Sequence, residues 1–159
     1  MMKNALIFAL ALASLPATTL AQDVGWQTVP YCADLKRVTA LAMSKDRFAS
    51  IAGKPREGNY SETNLPLTGW KDCLLYGPGS YTCDSQALET AEAAAKAQAA
   101  TLHDIKTCLG DGWAEAADRG SATYVVLHSL ARPVSITLST DQTDKGEHVV
   151  RLILFVRRS

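Results

Sequence analysis

Three histidines and four cysteines are the residues of this chain best suited to chemistry, and their placement limits what they can do. Acid–base pairs and metal sites need imidazole nitrogens that converge. His103 sits beside Asp104 in a helical stretch and is expected to face solvent. His128 and His148 fall in separate β-rich runs. A two-residue turn at residues 131–132 sets Val125, Leu127 and Ser129 on one face with Val134, Ile136 and Leu138. Tyr124, Val126 and His128 then share the other face with Ser135, Thr137 and Ser139. In the last run Val150, Leu152, Leu154 and Val156 alternate cleanly and join the first face, and His148 has their parity. His128 and His148 are therefore expected on opposite faces, unable to share a metal or pass a proton. A one-residue slip would reverse this. No serine lies in a G-x-S-x-G elbow. The Gly77-Pro78-Gly79 run puts proline where a phosphate loop needs a backbone donor. His128 with a nearby Ser or Asp is the one core around which a small hydrolase could be built; with no catalytic constellation in the sequence, catalytic residues and cofactors are both expected to be none.

The cysteines read as structural. No C-x-x-C is present, which argues against zinc, copper and thiol exchange. The N-terminus has the parts of a secretory leader: Lys3, an apolar run over residues 5–15, Pro16, and the small residues Thr19 and Ala21 before a cleavage point. The run falls short of the roughly 20 residues that span a bilayer. Residues 1–21 are thus expected to be a signal peptide, with 22–159 a single α+β domain in the periplasm or outside the cell, where disulfides persist.

Four cysteines allow three pairings. A hairpin centred on Pro78 sets Tyr76 opposite Ser80, Leu75 opposite Tyr81 and Cys73 opposite Cys83. Opposed Cα atoms lie about 4.5–5.5 Å apart, within reach of a disulfide. That leaves Cys32, at the start of one helix, to pair with Cys108, at the end of another, which antiparallel helices would bring together.

Those cysteines sit in a readable order of elements. Residues 31–43 carry Cys32, Leu35, Val38 and Ala42 at helical spacing, and Gly53 and Pro55 end that region. Residues 54–68 are polar and rich in turn formers, as in a long loop. Two short strands flank Gly77-Pro78-Gly79. Asp84 or Ser85 is placed to cap a long helix that runs to about Leu109 and Gly110, with Leu88, Ala91, Ala95, Ala99, Leu102, Ile105 and Leu109 as its apolar stripe. Residues 122–130, 134–140 and 148–157 are β-rich. The expected class is α+β: an antiparallel sheet with two main helices, in the order α-β-β-α-β-β-β, and two disulfides.

Lys and Arg total 16 against 16 Asp and Glu, so there is no basic excess to hold nucleic acid. No segment after the leader is long and apolar enough to span a membrane. The sheet face opposite the core is not purely polar. It carries Tyr124 and Val126 with Arg151, Ile153 and Phe155, a mixture suited to protein contact unless the first helix or the 54–68 loop covers it. A second display is the hairpin with Tyr76 and Tyr81, near Tyr60 and Trp70. These surfaces favour a non-enzymatic protein-binding role toward another envelope or secreted protein, as in an inhibitor, immunity or accessory factor. The alternatives are a small-molecule binder with a groove between helix and sheet, and a small hydrolase.

Overall fold

Helix α1 (Cys32–Ala42) forms over the expected stretch and buries Leu35, Val38, Thr39 and Ala42. Thr39 is tolerated there because its hydroxyl donates to the Leu35 carbonyl at 2.9 Å. The computed structural model describes residues 29–117 and 123–157. The expected leader and its cleavage point lie outside those residues.

Helix α2 (Ala91–Leu109) starts later than the sequence suggests. Asp84 and Ser85 do not cap it. Residues 85–90 instead run extended, held where the Ser85 N–H donates to Val150 O and the Leu88 N–H to His148 O, both at 2.8 Å. Thr90 is the cap, its hydroxyl accepting from the Ala93 N–H at 3.1 Å. The later start rotates the buried stripe to Ala94, Gln98, Ile105 and Cys108 and leaves Ala91, Ala95 and Ala99 exposed. Gln98 can sit in that stripe because its amide donates to Leu138 O at 3.0 Å.

Eight antiparallel strands make one sheet: β1 (Ala52–Pro55), β2 (Tyr60–Thr63), β3 (Lys71–Tyr76), β4 (Ser80–Asp84), β5 (Trp113–Glu115), β6 (Tyr124–Ser129), β7 (Val134–Gln142) and β8 (His148–Val156). Their spatial order is β1-β2-β3-β4-β8-β7-β6-β5. The α+β class stands, but the order α-β-β-α-β-β-β does not, because it omits β1, β2 and β5. The expected 54–68 loop contains β2 and the end of β1. Pro55 is accommodated because β1 is an edge strand.

Both disulfides are present. Cys32 joins Cys108 with Cα atoms 5.6 Å apart, tying the start of α1 to the end of α2. Cys73 joins Cys83 with Cα atoms 4.1 Å apart. The hairpin pairs Tyr76 with Ser80, Leu75 with Tyr81 and Leu74 with Thr82, and then shifts register so that Lys71 stands opposite Asp84. The irregularity lies at residues 72–73 rather than at the turn.

The helices pack together on one face of the sheet. Leu35, Val38 and Ile105 meet Tyr81, Leu127, Ile136, Leu138, Leu152 and Leu154 there, and Leu65 and Leu67 fold over from the end of β2. The opposite face carries neither helix.

Candidate binding groove on the open sheet face

Strand alternation arranges the open face into rows that cross several strands. One row runs Tyr60, Tyr76, Ser80, Phe155, Ser135 and His128. The next runs Glu62, Leu74, Thr82, Ile153, Thr137 and Val126. The third holds Asp84, Arg151, Ser139 and Tyr124. Each row is a set of directly opposed residues, so its members touch as cross-strand neighbours. The sheet therefore presents an aromatic row, an aliphatic and threonine row, and a charged row.

The first two rows and the charged one frame a groove of about 420 Å³, lined by Tyr60, Asp72, Leu74, Tyr76, Ser80, Thr82, Asp84, Arg151 and Ile153. Tyr60 and Tyr76 form one wall, their ring centroids 4.9 Å apart and tilted by 50°. They are 40% and 49% exposed, high for aromatic side chains that touch each other. Arg151 closes the far end. Its Nε and Nη2 donate to the two oxygens of Asp84 at 2.7 and 2.9 Å, and its Nη1 donates to Asp141 at 2.8 Å. These hydrogen bonds to Asp84, with the nearby charges of Asp84 and Asp141, hold the guanidinium pKa above its ordinary value against the cost of burial. Arg151 is thus a fixed strut, with one hydrogen bond from each of its three nitrogens to a carboxylate.

Asp72 is different. It has φ +43°, in the left-handed region that non-glycine residues seldom occupy. It sits at the register shift, next to the clamped Cys73, and its side chain lines the groove with no ion-pair partner among the described residues. Bulges of this kind re-aim side chains beside functional sites.

A second hollow of about 640 Å³ adjoins the groove and shares Tyr76 and Ser80 with it. Its other walls are Arg47, Gly77, Pro78, Gly79, Phe155, Val156 and Arg157. The Arg157 side chain donates to the carbonyls of Ser129 and Arg132. Neither arginine meets a carboxylate among the described residues.

Of the residues expected to bind, the structure brings Tyr76, Arg151, Ile153 and Phe155 together around these hollows. Tyr124 is on the same face, 41% exposed but at the other side of the sheet. Val126 is on that face yet buried. Tyr81 belongs to the other face: it is fully buried, and its hydroxyl donates to Leu65 O at 2.9 Å. Its odd position in β4, opposite Leu154, forces that inward direction. Trp70 also leaves the display, packing edge-on against Tyr31 with centroids 5.8 Å apart. Sequence reasoning did not find Asp72, Leu74, Thr82 or Asp84 as groove residues. All four carried a signal, since they have the parity of Tyr76 and Ser80; the register shift beside Asp72 carried none.

His128 and His148 do lie on opposite faces, at the register positions of Ser135 and Gln142. His128 Nδ1 is 2.7 Å from Ser135 Oγ. Ser135 is fully buried, so in this arrangement its hydroxyl has no path to a substrate carbonyl. No group of three or more His, Cys, Asp or Glu among the described residues is placed to hold a metal ion. None of the described helices is long and apolar enough to cross a membrane. On the helix side, a cleft of about 340 Å³ lies between α2 and the 85–88 segment, lined by Tyr31, Trp70, Leu88, Ala97, Ala100 and Asp104 among others.

Comparison with protein-family models, curated proteins and solved structures gives no match for the chain.

Proposed function

We propose that this is an exported, disulfide-clamped protein whose role is non-enzymatic protein binding through the open face of its sheet. One observation carries the proposal. Ile153, Phe155, Tyr60 and Tyr76 form a contiguous apolar and aromatic surface on a face that neither helix covers. An uncovered face of this kind is a recognition surface when its aromatics are held rigidly. Here they are held by the sheet and by the Cys73–Cys83 clamp. Two disulfides and the leader-like N-terminus support export, to a periplasm or beyond the cell, with another envelope or secreted protein as partner.

The test is affinity capture from envelope extract with the oxidised protein, run beside Ile153→Asp and Phe155→Asp. The expected result is a partner retained by the parent and lost by both variants, each variant keeping its circular dichroism spectrum. Equal capture by parent and variants would overturn the proposal.

A second reading, binding of a small molecule between helix and sheet, has one observation of its own. The Tyr31 hydroxyl is buried without a hydrogen-bond partner among the described residues, beside the α2 cleft, and a ligand acceptor would satisfy it.

A further inference from the structure

The open face is electrically polarised along the strand direction. At the Asp84 end stand Asp72, Asp84 and Asp141. Against them are Arg151, already paired twice, and Lys71, which opposes Asp84 without an ion pair. Three carboxylates against two cations leave that end negative, and Asp72 is its unpaired member. Arg56 and Glu62, at the margin, neutralise each other at 3.1 Å. At the opposite end, past Tyr76 and Ser80, Arg47 and Arg157 line the second hollow with no carboxylate among the described residues. Four residues of β4 separate the Asp84 and Ser80 rows, or about 13 Å at strand rise. Between the two ends lie the ring faces of Tyr60 and Tyr76 and the aliphatic floor of Leu74 and Ile153.

Resting on the protein-binding proposal above, we infer that this trough takes an extended segment of a partner protein. The segment places the charge of a lysine or arginine at Asp72 with its stem along Leu74, and lays the residues that follow over Ile153 and the Tyr60–Tyr76 rings. About four residues further on it places an acidic side chain toward Arg47 and Arg157. The cation gains from the Asp72 carboxylate, and the apolar residues that follow it gain from the tyrosine rings and the aliphatic floor. The apolar floor selects a protein segment over a free amine, because a bare diamine leaves Leu74 and Ile153 uncovered. The bulge and disulfide contribute by fixing the backbone at Asp72 before binding, which lowers the ordering cost of the complex.

The experiment is a titration of the oxidised protein with blocked hexapeptides, read by NMR shifts of the Leu74 and Ile153 methyls and the tyrosine rings. The first peptide is Lys-Ser-Val-Ser-Glu-Ser, with its lysine, valine and glutamate on one face of the extended chain. The others replace its lysine by norleucine, its lysine by glutamate, or its glutamate by lysine. Putrescine is the free-amine control. The expected result is saturable shifts with the first peptide, about tenfold weaker binding for each replacement, and little effect of putrescine at the same concentration. Asp72→Asn should weaken the lysine peptide to the level of the norleucine one, while leaving the norleucine peptide unchanged. Equal binding of the lysine and norleucine peptides overturns the charge rule but leaves a docking face. Equal saturation by putrescine overturns the choice of a protein segment. No shift with any peptide at about 10 mM overturns this inference and weighs against the docking proposal as well.

Discussion

Along β8, Leu152 and Leu154 turn toward the helices, while Arg151, Ile153 and Phe155 turn away. On β7 the division is sharper: Val134, Ile136 and Leu138 face the helices, and Ser135, Thr137 and Ser139 the other way. Ser135 and Thr137 are buried there as the cross-strand neighbours of Phe155 and Ile153. β8 keeps large apolar residues on both sides, at the point where the groove lies. The covered face is filled by residues that need only fit one another. The open face mixes aromatic, aliphatic and charged rows in a fixed order, which is what recognition requires and a core does not.

The largest test of this contrast is a matched pair. Ile136→Asp buries a carboxylate in the core and should cost more than about 4 kcal/mol, leaving the chain unfolded in a urea titration. Ile153→Asp should cost less than about 1 kcal/mol, since water reaches that side chain. Comparable losses would erase the distinction between the faces. Next come the disulfides. Replacing Cys32 and Cys108 by serine should cost about 4 kcal/mol, and replacing Cys73 and Cys83 about 3 kcal/mol, because the first closes the longer loop. Chemical denaturation ranks them, and only the second pair should also disturb peptide shifts in the groove.

Alkaline pH gives a smaller effect confined to the covered side. Burial, with a contribution from Asp104, raises the Tyr31 phenol, and burial chiefly raises that of Tyr81. Both stay neutral in the folded state after the unfolded chain begins to ionise. Their stabilising contribution is whole below about pH 10 and declines as pH rises above it, by at most about 1.4 kcal/mol per pH unit for each. Tyr81→Phe should flatten that decline in urea midpoints taken at several pH values. Smallest is Thr90→Ala, which removes the α2 cap for about 1 kcal/mol and should leave peptide binding on the open face unchanged.

Much of the covered face was legible in the sequence, because alternation and helical spacing are imposed by burial. The β6–β7 register and the Cys73–Cys83 pair follow from turn position, and the Cys32–Cys108 pair then follows by elimination. Residues 54–68 misled because β2 is polar and short, and its stability comes from pairing with β3 rather than from its own pattern. The start of α2 misled because Ser85 is a good cap in isolation, yet β8 recruits the backbone of residues 85–88. The groove was half legible. Parity places Ile153, Phe155 and Tyr76 on one face, but no local signal marks a bulge at Asp72. Tyr81 was misplaced because the hairpin was read as a display and not as the edge of the core.

The position of β8 also bears on how the molecule assembles. The strand nearest the C-terminus lies in the middle of the sheet, joining β1–β4 on one side to β5–β7 on the other. During synthesis from the N-terminus, the earlier strands can form two separate meanders, but neither can close its core until β8 arrives. Folding must then wait for a contact between residues near 80 and residues near 155, a non-local step of the kind that slows β-rich chains. A chain cut short before His148 would hold two half-sheets with open edges and no seam between them.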